Sequence, residues 1–184
     1  MKEKLRANFL KIRKKKYFEL SVKNKIFIAK QIRKLCIKNK INKLGFYYPV
    51  KYEINIVSVI IRIQTKKLQI CLPVIKKKNN MSFKEWTTQE PLIVNKFGIL
   101  EPGNKNKKIK PQMILVPLVA YDNTKNRLGY GKGFYDRYLS RLIKKNVKIL
   151  TVGVAFSFQR YHKLSISKND VRLDLILTNK GLKK

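Results

Sequence analysis

Ten consecutive residues carry most of the chemistry this sequence can offer: Arg127-Leu128-Gly129-Tyr130-Gly131-Lys132-Gly133-Phe134-Tyr135-Asp136. Three glycines alternate with larger side chains, so the backbone can bend sharply and bring N–H groups close to an anion. Arg127 and Lys132 add two cations, and Asp136 adds a carboxylate at the edge. Just upstream lies the apolar run Met113-Ile114-Leu115-Val116-Pro117, and downstream Tyr135, Tyr138, Leu139 and Leu142 recur at helical spacing. Strand, loop and helix in that order bring a helix N-terminus, with its partial positive charge, beside the loop. The cations suit phosphate oxygens. The carboxylate suits Mg2+, which binds through one or two carboxylates plus phosphates. The stretch is not a Walker A loop, since Asn126 and Gly133 stand where Gly and Ser or Thr are required. Nor is it a dinucleotide fingerprint, because Phe134 occupies the place of the third glycine.

The elements that must position this loop alternate along the chain. Residues 2–16 read as a helix, with Leu5, Phe9 and Ile12 in one stripe and Lys2, Arg6 and Arg13 along an adjoining edge. Such an edge is either a solvated basic face or, at Lys2 and Arg6, a pair of cations aimed at one anion. Ser21 can cap a second helix reaching about Lys38, with Val22, Ile26, Ala29, Ile32 and Leu35 inward. Residues 44–48 read as a strand stopped by Pro49, and Glu53 opens a third helix with Ile54, Val57 and Ile61 on one face. Residues 68–72 form a strand closed by Pro73, and 81–86 alternate like an exposed edge strand. Residues 97–103 are rich in turn formers, and the lysine-rich segment after them is a surface loop. Order returns with a strand over 113–117, a helix over 134–145 and strands over 149–155 and 173–177. This alternation predicts a single α/β domain over residues 1–184: a three-layer αβα sandwich, with a mostly parallel central sheet and helices on both faces. Ligands of such sheets bind beyond the carboxyl ends of the strands. The glycine loop, Tyr48 with Glu53, and the 155–170 connection all follow strands, so they are expected to share one crevice.

At 184 residues and 44% apolar composition the chain can bury a core. It has no apolar stretch of membrane-spanning length, and its first residues lack the apolar core of a secretory signal. Cys36 and Cys71 stand apart from any metal-binding or redox spacing and read as small core residues. A reducing, cytoplasmic setting is the expectation. The formal net charge of +34 invites a nucleic-acid interface. Against that, 35 of the 44 cations are lysines spread through nearly every block of ten, including Lys14-Lys15-Lys16, Lys76-Lys77-Lys78 and Lys105 to Lys110. A binding surface concentrates charge, favours arginine and interleaves aromatics. The even spread favours compositional drift, and nucleic-acid binding stands as the alternative reading.

Read in order, the landmarks resemble those of the 5-formyltetrahydrofolate cyclo-ligase family, also called 5,10-methenyltetrahydrofolate synthetases. They are Lys2-x-x-x-Arg6, Tyr48-x-x-x-x-Glu53, Leu72-Pro73, Phe83-x-x-Trp86, Gly98-Ile99-x-Glu101-Pro102, Val116-Pro117 through Tyr121-Asp122, the loop from Arg127 to Arg137, and Asp170-x-x-x-Asp174 leading to Thr178. The resemblance implies cyclisation of 5-formyltetrahydrofolate to 5,10-methenyltetrahydrofolate, with Mg2+ and ATP consumed to ADP and phosphate. It implies that Lys2 and Arg6 hold ATP phosphates while Arg127, Gly129, Tyr130, Gly131, Lys132, Gly133, Phe134 and Tyr135 wrap them. Lys132 and Arg127 would act catalytically on the shifting phosphate charge, Asp136 and Asp170 would seat the metal, and Tyr48 and Glu53 would hold the folate, with or without a polyglutamate tail. A monomer with no membrane partner is expected, and because phosphoryl transfer asks mainly for positioning and charge compensation, no catalytic histidine is needed, which leaves His162, the only histidine, a structural role. Leu118, Ile56, Asn126, Asn169 and Asn179 depart from the family pattern; none removes a phosphate- or metal-directed group. Another ATP-dependent kinase or ligase on the same scaffold is the second alternative.

Overall fold

The computed structural model describes residues 1–76 and 80–183. In chain order its elements are α1 (Lys2–Lys16), α2 (Val22–Lys38), β1 (Lys43–Gly45), α3 (Val57–Ile60), β2 (Gln69–Ile75), β3 (Met81–Glu85), β4 (Leu92–Val94), β5 (Leu100–Pro102), β6 (Lys108–Ile109) and β7 (Met113–Pro117). They continue with β8 (Ala120–Tyr121), β9 (Arg127–Leu128), α4 (Phe134–Lys144), β10 (Leu150–Ala155), β11 (Leu175–Thr178) and β12 (Gly181–Lys183). Eight strands form one sheet in the order β12-β11-β10-β7-β1-β2-β3-β6. Its centre, β11 to β2, is parallel, and β12, β3 and β6 add antiparallel margins. This is the mostly parallel α/β architecture that the alternating pattern predicts.

Alternation along the strands divides the core between the two faces of the sheet. Met113 and Leu115 of β7 join Leu44, Ile70 and Val152 under α2 and α3, where Ile28, Ile32 and Ile60 are buried. Ile114 and Val116 face the other way and join Cys71, Ile176 and Phe83 under Tyr138 and Leu139 of α4. A third cluster of Phe9, Val119, Ala120, Leu128 and Leu164 seats α1 on the β8–β9 hairpin. Both cysteines are free and buried, as expected of small core residues.

Several elements differ from the sequence reading, each for a physical reason. The Ser21 cap is present, with its Oγ accepting from the Asn24 N–H at 3.2 Å. The buried stripe of α2 is nevertheless Ile28, Ala29, Ile32, Leu35 and Cys36, leaving Val22 and Ile26 exposed. Glu53 opens no helix: Lys51 (φ 48°) and Tyr52 (φ 64°) are both left-handed, and the helix is one short turn at Val57–Ile60. β1 has only three residues. β2 runs through Pro73, which pairs with Phe83 of β3. β1 ends opposite Cys71, so at Pro73 the strand is paired on one side only, where a missing N–H can be tolerated. β3 is not an exposed edge; β6 covers it, and Met81, Phe83 and Lys84 are buried. The β4–β5 and β8–β9 hairpins and β12 are too short to show a period in the sequence. Of the run Lys76-Lys77-Lys78, the last two lie outside the described residues.

Candidate active site

A cleft of about 830 Å3 opens beyond the carboxyl ends of the parallel strands. Tyr47 and Tyr48, following β1, form part of one wall with Glu53, and Pro117 at the end of β7 lies at the floor. The turn between β4 and β5, with Asn95, Phe97 and Gly98, forms another side, and Phe97 sets its ring 5.6 Å from that of Phe134. Lys2 and Arg6 of α1, residues Arg127 through Asp136, and Asp170 complete the lining. Every residue expected to bind nucleotide, folate or metal therefore borders one cavity, although Lys2 and Asp170 lie 168 positions apart.

One end of the cleft is cationic. Lys2 Nζ meets Asp170 Oδ2 at 2.5 Å, and Arg6 Nε donates to the Gly129 carbonyl at 2.8 Å. Gly131 (φ +93°) comes so close to the Arg6 guanidinium that a Cβ there would lie 3.2 Å from Cζ. Arg127 Nη2 meets Asp136 Oδ1 at 2.6 Å, and the same oxygen accepts from the Val171 N–H at 3.1 Å. Lys132 is exposed at the lip, and its carbonyl accepts from Arg137 at 2.7 Å. Gly133 stands at the N-terminus of α4 in the left-handed region (φ +64°), with no side chain capping the helix. The first-turn N–H groups are thus available to an anion. Two buried polar atoms in the same place have no partner: Arg127 Nε and Tyr135 Oη. Such donors can be satisfied by a bound ligand or by water.

The other end holds one buried acid. Glu53 is 5% exposed; its Oε2 accepts from the Val50 N–H at 2.9 Å and its Oε1 from the Tyr130 hydroxyl at 2.6 Å. Burial pushes its carboxyl up from 4.5 to about 7, against the opposing pull of Tyr130, Val50, Arg13 and Lys51. The cause is desolvation of the charged form. Tyr130 and Tyr135 are held well above the usual phenol range, first by burial and then by the charge of Glu53. For Asp170, burial works upward, but the Lys2 hydrogen bond and the Ser167 N–H more than offset it and hold the carboxyl below its ordinary value.

The carboxylates Asp136 and Asp170, both lining the cleft beside Lys2, Arg6 and Arg127, suit Mg2+, which takes one or two carboxylates and completes its shell with phosphate and water. Among the described residues Asp136 and Asp170 each have a cation in contact, and no group of three metal-ligating side chains occurs. His162 is exposed, tilted against Tyr161 at 4.2 Å, and lies outside this cleft. Among the departures from the family pattern, Leu118 and Ile56 are buried, and Asn126 donates to Asp122 Oδ2 at 3.1 Å. The Asn179 side-chain oxygen accepts from the Ser157 N–H at 2.8 Å.

Sequence reasoning missed Arg13 and Lys51. Arg13 reads as one more cation on a solvated edge, yet it is 1% exposed and its Nη2 donates to the Tyr130 hydroxyl. Its sequence signal is the seven-residue step from Arg6, which repeats the facing of a helix after two turns. Lys51 lines the cleft with its amine 6.0 Å from the centre of the Tyr130 ring.

Comparison with known proteins bears on this cleft. The profile of the 5-formyltetrahydrofolate cyclo-ligase family matches residues 1–179. A 5-formyltetrahydrofolate cyclo-ligase of Mycoplasma genitalium is 32% identical over 149 residues, 79% of this chain and 77% of that protein. The NMR structure of Aquifex aeolicus 5,10-methenyltetrahydrofolate synthetase superposes with a TM-score of 0.76 at 30% identity, covering 100% of this chain and 92% of that one. The structure of a Mycoplasma pneumoniae 5,10-methenyltetrahydrofolate synthetase gives a TM-score of 0.66 at 25% identity, covering 97% and 98%.

Proposed function

Since this chain belongs to the 5-formyltetrahydrofolate cyclo-ligase family, we propose that the cleft is its active site and that ATP drives the ring closure there. The enzyme converts 5-formyltetrahydrofolate to 5,10-methenyltetrahydrofolate. ATP phosphates occupy the cationic end, between Lys2 and Arg6 on one side and the glycine loop and α4 N-terminus on the other. The pterin occupies the acidic end, where the Glu53 carboxylate accepts from its donor-rich edge and Tyr48 lies alongside. The formyl oxygen takes the γ-phosphoryl group and ADP departs. N10 then attacks the activated carbon, loses its proton, and phosphate leaves with the former formyl oxygen.

Phosphoryl transfer asks a protein for position and charge compensation, without a covalent nucleophile. Lys132 and Arg127 supply positive charge where phosphate charge shifts. Tyr135, with its unpartnered hydroxyl, offers a donor between the two ends. Asp136 and Asp170 would hold Mg2+, releasing Arg127 and Lys2 toward the phosphates. Bound there, the ion supplies charge neutralisation across phosphate oxygens. We assign the chain a single domain, a monomeric state, a cytoplasmic setting and tolerance of polyglutamated folate. No helix among the described residues is long and apolar enough to cross a membrane.

The observation that carries this reading is the meeting of both chain halves in one cleft: Lys2 against Asp170, and Tyr130 of the glycine loop against Glu53. The test is the appearance of methenyltetrahydrofolate from 5-formyltetrahydrofolate with ATP and Mg2+. Loss of product on omitting either is expected; a folded protein giving none with both present overturns the reading.

A further inference from the structure

Arg13 is a guanidinium taken almost wholly out of water, yet no carboxylate touches it among the described residues. Its Nη1 donates to the Leu118 carbonyl at 3.2 Å, its Nη2 donates to the Tyr130 hydroxyl, and its Nε has no partner. Burying a charge on two neutral acceptors, with one nitrogen left without a partner among the described residues, is a poor way to gain stability; an apolar side chain of similar length would serve the core better. The arrangement makes sense through what Tyr130 does next.

Arginine has donors only, and a phenol has one hydrogen. Because the Tyr130 oxygen accepts from Arg13, its hydrogen is free to go to Glu53, and it does so at 2.6 Å on Oε1. The other carboxylate oxygen is held by the Val50 N–H at 2.9 Å. Both oxygens are thereby oriented, and their remaining lone pairs are what the cleft has to offer a ligand. Tyr130 also sits between Gly129, whose carbonyl accepts from Arg6, and Gly131, which touches Arg6. Arg6 and Arg13, two turns apart on one face of α1, therefore hold three consecutive loop residues between them, Arg6 at Gly129 and beside Gly131, Arg13 at Tyr130.

We propose that Arg13 is a positioning residue: by fixing the Tyr130 hydroxyl from beneath, it orients the Glu53 carboxylate for folate and ties that acid to the nucleotide-binding loop. This rests on the reading of Glu53 as the folate-holding acid. The groups facing Glu53 are Arg13 from α1, Tyr47 beyond β1, Val50 N–H and Lys51 from its own loop, and Tyr130 and Tyr135 from the glycine-rich segment. Of these, Arg13 and Lys51 are the cations that oppose protonation. Removing Arg13 leaves the Tyr130 hydrogen undirected and Glu53 with one cation fewer.

The experiment compares wild type with Arg13→Gln, Arg13→Lys and Tyr130→Phe. In ligand-free protein the Glu53 carboxyl is titrated by carbon-13 NMR. Arg13→Gln is expected to move its midpoint upward and Arg13→Lys to restore part of the difference. In the cyclisation assay Arg13→Gln and Tyr130→Phe each raise the KM for folate by about tenfold, the worth of one charge-assisted hydrogen bond, and change kcat less. The double variant loses no more than either single one, because both break the same relay. An unmoved Glu53 midpoint with an unchanged folate KM overturns the proposal, as does full additivity of the two substitutions. If Arg13→Gln does not fold, Tyr130→Phe, which keeps the ring, and Arg13→Lys, which keeps the charge, decide alone. The NMR titration needs no folate, so a wild type that is inactive condemns the functional reading while the relay is still judged on its own.

Discussion

Replacing Glu53 with Gln separates the two ends of the cleft. The amide keeps the volume but removes the charge and one of the two acceptor positions, so either the Val50 N–H or the Tyr130 hydroxyl loses its partner. A hydrogen bond to a charged acceptor contributes about 1.5–3 kcal/mol, so folate affinity should fall by about 10- to 150-fold. ATP affinity should remain within about twofold, because no phosphate-directed cation is disturbed. The carboxyl titrates at about 7, so wild-type folate affinity should rise as pH passes upward through that value, and the variant should lack the rise. Stability moves the other way. A carboxyl raised from 4.5 to about 7 in the folded state stabilises the fold fully below 4.5 and loses that contribution as pH climbs through 7. The difference corresponds to about 3 kcal/mol, against about 1 kcal/mol for one lost hydrogen bond. Glu53→Gln should therefore melt no lower than wild type near pH 8, and lower near pH 5. Isothermal titration calorimetry with each ligand and thermal melts at the two pH values read these quantities. Equal loss of folate and ATP affinity would refute the placement of the pterin at Glu53. A pH-independent wild-type folate affinity would refute the role of its charge.

Two other substitutions probe the cationic end. Lys132→Ala removes a cation at the lip of the glycine loop and should cut turnover by about tenfold to a thousandfold, as loss of one preorganised charge-stabilising donor does elsewhere; steady-state kinetics at the wild-type rate would reduce Lys132 to a surface residue. Gly131→Ala forces a Cβ to 3.2 Å from the Arg6 guanidinium at a φ of +93°. It should weaken nucleotide binding by about tenfold through displacement of Arg6, and unchanged ATP affinity by calorimetry would remove Arg6 from the phosphate site.

Local signals made much of this molecule readable in advance. The glycine loop with its helix, the Ser21 cap and the strand at 113–117 are set by neighbours within a few positions, and they form where the pattern puts them. Long-range effects were not readable. Lys51 and Tyr52 adopt left-handed conformations at about 1–2 kcal/mol each, and Glu53 makes a bond to Tyr130, 77 positions away, in place of starting a helix. The seven-residue step from Arg6 sets the facing of Arg13 but not its burial, which depends on Leu118 and Tyr130 arriving from the far half of the chain. Pro73 reads as a strand terminator, but it is accommodated because β1 stops two residues short of it.

In the proposed reaction this cleft passes the γ-phosphoryl group of ATP to the formyl oxygen of the folate. Turnover of 5-formyltetrahydrofolate carrying oxygen-18 in the formyl group tests it most directly, with the released phosphate examined by mass spectrometry. Each phosphate formed should carry one labelled oxygen. Unlabelled phosphate released alongside methenyltetrahydrofolate would contradict it.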